Sequence, residues 1–346
     1  MIKPWEQVFL DPAGEPWVEF VSARSTANIF HHSAWTNLIA ECYDYRPFVV
    51  AVQDGDGAVR AGIPMMETGS RLRGRHWTSL PFTDHCAPLH DSAVSSGRLT
   101  DSLVVLSDDS NTPPMGLRCN LPPRAAIQTY SHHVLHTVQL AQDSDGVFRR
   151  FQPMHRRNVR TSEKKGVRIE WGRGHEDLDA FYRLHLETRR RQGVPIQPRR
   201  FFDLLGSNLI DKGLGFVLLA YKDEQCLAAA VFLHWQRTLT YKFGASAADG
   251  LSLRPNNLLF WTAIRWGCEN GYDVFDMGRT DLANTGLRAF KSGWGADEVP
   301  LTYSHLPPRT EGSAVGHLMP AVNAVISHSP LWVCRATGEL LYKYVE

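Results

Sequence analysis

An α/β fold with mixed sheets is predicted by two features of this sequence. The first is the stretch 253–295, LRPNNLLFWTAIRWGCENGYDVFDMGRTDLANTGLRAFKSGWG, in which a helix, a short strand and a polar turn follow one another. The second is an echo between two distant segments. Residues 35–42 are helix-like and feed two strands, 47–52 and 58–66, across a DGDG turn; residues 201–209 are again helix-like and feed 215–221 and 226–235 across KDEQ. Asp-Gly between apolar runs is a strong hairpin signal.

The elements follow in chain order. A first unit at about 1–145 holds the first hairpin, a strand near 76–80, a helix near 97–107 and a strand at 132–140. A basic helical linker occupies 146–166. The second unit has a strand at 167–171, helices near 176–191 and 198–211, and three antiparallel strands between 215 and 245. The helix at 255–270 starts on Pro255, whose missing N–H costs nothing in a first turn. Leu258, Leu259, Ala263, Ile264 and Trp266 give it an apolar stripe, and Gly271 closes it. The strand 274–277 is expected to end in a Gly278-Arg279-Thr280-Asp281 turn, a common place for a ligand in α/β folds. A strand near 298–304 and two helix-like pieces, 313–327 and 331–344, complete the chain.

Composition sets outer bounds. The 346 residues are 43% hydrophobic and 21% charged, ordinary for a globular protein, and the net charge is +1. Any polyanion site must therefore be local. Six cysteines are scattered with no Cys-x-x-Cys pair, which argues against a zinc ribbon or disulfide scaffold and fits a reducing compartment. No metal site is expected. The first residues, MIKPWEQVFLDPAGEPW, lack the apolar run of a signal peptide, and no uncharged stretch is long enough to span a bilayer. A cytoplasmic location is the expectation.

The GRTD…TGLRAFKSGWG run resembles the Fem-type branch of the N-acyltransferase (GNAT) superfamily. That branch contains aminoacyl-tRNA-dependent transferases that build peptidoglycan cross-bridges, with relatives in polysaccharide and natural-product pathways. Residues 290–295 match its Phe-Lys-x-Gly-aromatic-Gly signature, and further matches fall at 31–39, 79–89, 156–167 and 187–202. The resemblance implies two tandem GNAT-like domains with an inter-domain cleft: an acceptor side at 1–145, and a donor side at 146–346 that carries the terminal helices 313–344.

Acyl transfer to an amine needs a neutral amine, an oriented carbonyl, an oxyanion donor and a route for the leaving group's proton. No Gly-x-Ser-x-Gly elbow is present, which agrees with direct transfer. Lys291 is the first catalytic candidate, because the resemblance places it at the donor site; by spacing alone it is also a solvated lysine beside a glycine turn. Phe290 or Trp294 would offer a stacking face for a terminal adenine. Arg279 suits a phosphate or carboxylate, with Asp281 beside it, although the two also make a plausible capping ion pair. Asp276 reads as a partner for a cation or backbone amide. The resemblance puts Asp84 on the acceptor side, holding the amine or taking its proton, with His85 sharing that role; an Asx turn is the plainer alternative. Thr188, Arg189 and Arg190 match the family's acceptor-binding helix, and Tyr241 and Lys242 match positions lining the cleft. Arg254, Asn256 and Asn257 stand at a helix N-terminus able to bind anions.

The basic cluster Arg149, Arg150, Arg156, Arg157, Arg160, Lys164, Lys165 and Arg168 is either a tRNA-docking face or a solvated helix face. The leading expectation is an aminoacyltransferase using aminoacyl-tRNA as co-substrate, with no bound cofactor and an amine acceptor on a cell-wall precursor or natural-product intermediate. The alternative is an acyl-CoA-dependent N-acyltransferase. Against it, no Gln/Arg-x-x-Gly-x-Gly/Ala element follows the strand at 237–245. A non-catalytic glycan- or peptide-binding relative is a third class.

Overall fold

A computed structural model describes residues 5–70, 74–172, 174–308 and 326–342 of the chain, and its alternating helices and strands are of the α/β class. Two compact units emerge, and they are cut differently from the expected split at 145/146. The first takes in the described residues of Met1–Leu135, Arg279–Ala283 and Val299–Glu311; the second takes in those of His136–Gly278, Asn284–Glu298 and Gly312–Glu346.

In the first unit the strands lie in the spatial order Glu6–Leu10, Arg46–Gln53, Val59–Ser70, Gly74–Thr78, Met115–Leu117, and the 299–306 part of Asp297–Leu306. All neighbours are antiparallel except Gly74–Thr78 beside Met115–Leu117. The hairpin forms where DGDG places it. The Asp54 carboxylate accepts from the N–H groups of Asp56 (3.0 Å) and Ala58 (3.1 Å), and Gly57 takes a φ of +82° that a side chain would resist. Phe48, Val50, Ile63, Met65 and Trp77 share one core with Leu99 and Leu103 of the helix Ala93–Asp108.

In the second unit Arg168–Gly172, Gly215–Lys222, Gln225–Trp235 and Thr238–Ser246 form an antiparallel run. The next strand, Val274–Asp281, joins in parallel through only three register pairs: Thr238 with Val274, Leu239 with Phe275, and Thr240 with Asp276. Lys242 is the extra residue of a bulge, since Val231 faces Phe243 while Phe232 faces Tyr241. The helix Pro255–Glu269 buries Leu258, Leu259, Ala263 and Ile264 against Phe216, Phe232 and Phe275. Gly271, at φ +75°, stops it as expected.

Two local expectations are corrected. The strand does not end at Met277, because Gly278 bends it at φ +69° and it continues to Asp281. The residues before Lys291 are helical, Thr285–Ser292, capped by the Asn284 side chain accepting from the Leu287 N–H at 3.1 Å. Of the two expected terminal helices, 313–327 lies outside the described residues apart from its last two, and the other is present as Leu331–Leu341. No described helix is long and apolar enough to cross a membrane.

Candidate functional site

The Lys291 ammonium is buried, at 4% exposure, and donates to the Gly278 carbonyl at 2.9 Å. A charge so placed needs such a partner, because desolvation without one costs several kcal/mol. Gly278's own N–H donates to the Asp276 carboxylate at 2.7 Å, so Asp276 serves a backbone amide. Sequence reasoning missed His136, a fully buried neighbour. Its Nε2 stands 3.0 Å from Glu298 without hydrogen-bond alignment. Burial, and then the Lys291 charge, hold its pKa below the ordinary value, so the ring is neutral. Glu298 stays ionised because Arg288 donates to it at 2.6 and 3.1 Å.

The glycines of the 290–295 signature have a packing explanation. Gly293 lies under the His155 ring: a Cβ there would stand 2.2 Å from Nε2, and the Gly293 carbonyl accepts from the Gln152 N–H at 2.8 Å. Trp294 is 0% exposed, with ring centroids 5.0 Å from Phe151 and 5.5 Å from Phe260. That corrects its expected role, since an indole enclosed by protein cannot stack on an adenine. Phe290, half-buried against His155 and Phe260, keeps the only partly open ring of the two. Asn257 is also corrected. Its side-chain amide donates to His155 Nδ1 at 2.9 Å in the interior, so it does not present an anion site.

The helix N-terminus itself is a poor anion cradle. Pro255 has no N–H, the Asn257 N–H bonds the Arg254 carbonyl at 3.0 Å, and the Arg254 N–H bonds Leu251 at 3.1 Å. Asn256 remains at this turn, and Arg254 is exposed in a left-handed conformation.

The first unit gathers Asp84 and Arg279. Arg279 Nε is 3.6 Å from Asp84 Oδ1, and Arg279 Nη1 donates to the Tyr303 hydroxyl at 3.2 Å. That hydroxyl in turn donates to the Asp84 main-chain carbonyl at 2.5 Å. Arg118 lies 5.3 Å over the Tyr303 ring. The loop carrying Asp84 is strained and heavily braced: Leu80 and Phe82 have φ of +62° and +57°, values that bulky residues avoid. Trp35 donates to Thr83 Oγ1 at 2.9 Å, and the Cys86 N–H bonds the Arg118 carbonyl at 3.1 Å. His85 packs edge-on against Phe30, and Asp281 accepts from the Ala283 N–H at 2.8 Å as a turn residue.

The remaining candidates divide. Thr188 is buried and exchanges two hydrogen bonds with the Ser246 backbone, at 3.2 and 3.0 Å, so its hydroxyl ties a helix to a strand instead of gripping a ligand. Arg189 donates to the Pro195 carbonyl at 3.2 Å, and Arg190 Nε is buried without a hydrogen-bond partner among the described residues. Lys242 sits 5.4 Å over Phe243. The Tyr241 hydroxyl stands over Gly244, where a Cβ would approach it to 1.9 Å, and burial pushes its pKa up to about 12. Tyr241 follows the last residue paired with the parallel strand. Among the described residues, no group of three or more His, Cys, Asp or Glu side chains could hold a metal ion.

Residues 149–292 match the acetyltransferase (GNAT) domain family. The match covers 144 of the 346 residues, all of them described apart from residue 173. The fold of the chain is similar to that of a crystal structure of FemX, with a TM-score of 0.70 at 14% identity, covering 87% of this chain and 97% of that one. L-PGS from Bacillus licheniformis gives 0.55 at 14% identity over 92% and 99%. A tandem GNAT protein from the clavulanic acid biosynthesis pathway gives 0.54 at 9% identity over 89% and 100%. No curated protein matches the chain in sequence.

Proposed function

We propose that this acyltransferase moves an aminoacyl group from aminoacyl-tRNA to an amine, forming an amide by direct transfer. The observation that carries this reading is the cationic face of the helix Pro153–Lys164. Arg157, Arg160 and Lys164 are exposed and have no carboxylate partner among the described residues, and with Arg156 they line a shallow groove of about 410 Å³. Several surface arginines elsewhere are neutralised, as at Arg46–Glu67, Arg60–Asp54, Arg124–Asp101 and Arg237–Asp273. An unneutralised stripe on a chain of net charge +1 suits a phosphodiester backbone. The occupied N-terminus of Pro255–Glu269 weighs against a CoA pyrophosphate, which needs several free amides.

In this reading Asp84 holds the attacking amine and the Lys291 charge acts at the ester. Tyr241, which keeps its proton throughout the physiological range, donates to the departing ribose oxygen. The nitrogen–carbonyl bond forms, the ester C–O bond breaks, and the amine's proton passes to the Asp84 carboxylate. The test is mass spectrometry of reactions with charged tRNAs or acyl-CoAs against a panel of amines. RNase-sensitive product from charged tRNA is expected. The alternative reading, acyl-CoA as donor, draws on the acetyltransferase family match at 149–292. Product from acyl-CoA and none from any charged tRNA would establish it instead.

A further inference from the structure

How RNA sits on the helix Pro153–Lys164 follows from the reach of its cationic face, given the aminoacyl-tRNA reading proposed above. Eight basic residues fall between 149 and 168, and four of them are held outside the groove. Arg149 pairs with Asp143 at 3.2 Å and Arg168 with Glu170 at 2.8 Å. Arg150 donates to the Gln139 carbonyl, and Lys165 to the Ser252 carbonyl at 3.4 Å. The other four, Arg156, Arg157, Arg160 and Lys164, line the groove with Pro153 and Thr161. Glu163, the only carboxylate of the helix, does not line it. The opposite face is fixed: His155, Val159 and Ser162 are buried, and His155 Nδ1 accepts from Asn257 at 2.9 Å. The cationic row therefore has one orientation and a definite length. From Arg157 to Lys164 the helix rises about 10.5 Å, at about 1.5 Å per residue. One nucleic-acid strand advances about 3.4 Å per phosphate, so the row is as long as roughly three or four phosphates. Among the described residues, the groove lining includes no aromatic ring and no side-chain amide that could stack on or read a base. Its guanidinium groups cannot read the deep, narrow major groove of an RNA duplex.

We infer that Arg156, Arg157, Arg160 and Lys164 grip a few consecutive phosphates of one RNA strand and read no bases. Contacts of this kind set where the RNA lies and carry no sequence information. The footprint is short because the charges at either end of the row, Arg149 and Arg168, are already matched by carboxylates. This face consequently holds any tRNA equally well, and selection among donors falls to the aminoacyl end.

The experiment is fluorescence anisotropy of the full chain with two uncharged RNA hairpins of equal length and unrelated stem sequence, titrated at salt concentrations from 50 to 200 mM. The two hairpins are expected to bind within about threefold of each other. The slope of log affinity against log salt is expected between about −2 and −4, a loss of roughly 20- to 250-fold over that range. Arg157→Gln and Lys164→Gln should each make the slope shallower by about 0.7–0.9, equally for both hairpins. Replacing Arg168 and Glu170 together by Gln keeps the net charge and should leave the slope where it was. A slope steeper than about −6, a preference above about tenfold for one sequence, slopes unmoved in Arg157→Gln and Lys164→Gln, or no binding of either hairpin overturns the inference. RNA binding of the expected kind without transfer from any charged tRNA removes the donor reading and leaves this one standing. Transfer from charged tRNA with a slope indifferent to Arg157 and Lys164 does the reverse.

Discussion

Gly293→Ala tests whether the signature glycine is a packing requirement. The added methyl carbon would lie 2.2 Å from His155 Nε2 and 2.4 Å from Cδ2, far inside contact distance. His155 has little room to retreat. Its ring is held 4.7 Å from Trp294 and 5.2 Å from Phe290, and its Nδ1 accepts from Asn257 at 2.9 Å. Overpacking of this kind costs about 1–3 kcal/mol. Displacing His155 also strands the buried Asn257 amide, about 1–3 kcal/mol more. A loss of about 3 kcal/mol corresponds to a melting shift of roughly 6–12 °C. Thermal and urea unfolding of the full chain would measure it. Pairing the change with His155→Ala removes the obstacle, so the double variant should be less destabilised than the sum of the singles by at least about 1 kcal/mol. A single variant within about 0.5 kcal/mol of the parent, or strict additivity in the pair, would refute the packing argument.

Four further outcomes are expected. Thr188→Val keeps the shape but removes both hydrogen bonds to Ser246, and urea titration should show a loss of about 1–3 kcal/mol. Lys291→Met leaves the Gly278 carbonyl without its ammonium and should lower both stability and transfer rate; unchanged values for both would contradict the geometry. Tyr241→Phe should leave stability within about 0.5 kcal/mol, since the hydroxyl has no partner among the described residues, while turnover drops about a hundredfold if it is the proton donor. Burial holds His31 at a pKa of about 4 and His185 at about 3, so each is neutral when folded and takes up a proton on unfolding below pH 6.5. Stability must therefore fall as pH drops from 6.5 toward 4, by up to about 1.4 kcal/mol per pH unit for each histidine. His31→Gln should flatten that slope in a melting-temperature profile.

Where the sequence was readable, the signal was local. The stripe of Leu258, Leu259, Ala263 and Ile264 announces a helix because its period repeats every turn, and the Asp54 hairpin announces itself because the turn chemistry lies within five residues. The Asp84 constellation has no such signal. Tyr303 reaches Asp84 across 219 residues, and nothing in TYSH distinguishes that tyrosine from a core residue. The left-handed Leu80 and Phe82 were equally hidden, because bulky residues adopt that conformation only under tertiary bracing. Trp294 illustrates the reverse problem. An aromatic residue between glycines reads the same whether it faces a ligand or a core, and only the surrounding Phe151, Phe260 and His155 decide.

The candidate residues acquire a common logic at Gly278. Both polar groups of this one residue are held by ionisable side chains: its N–H by Asp276, and its carbonyl by Lys291. Its φ of +69° bends the strand Val274–Asp281 at this residue. A residue with a Cβ would resist that φ, and a neutral side chain at 291 would leave the carbonyl unpaired in the interior. The lysine of the signature therefore has a structural duty that any catalytic one must share. It fixes the Gly278 peptide, and loss of its charge should loosen that bend before it alters anything at a donor ester. Comparing urea unfolding with transfer rate in Lys291→Met and in the parent separates the two duties. Stability that falls reports the bend, and stability that holds while transfer is lost reports the ester.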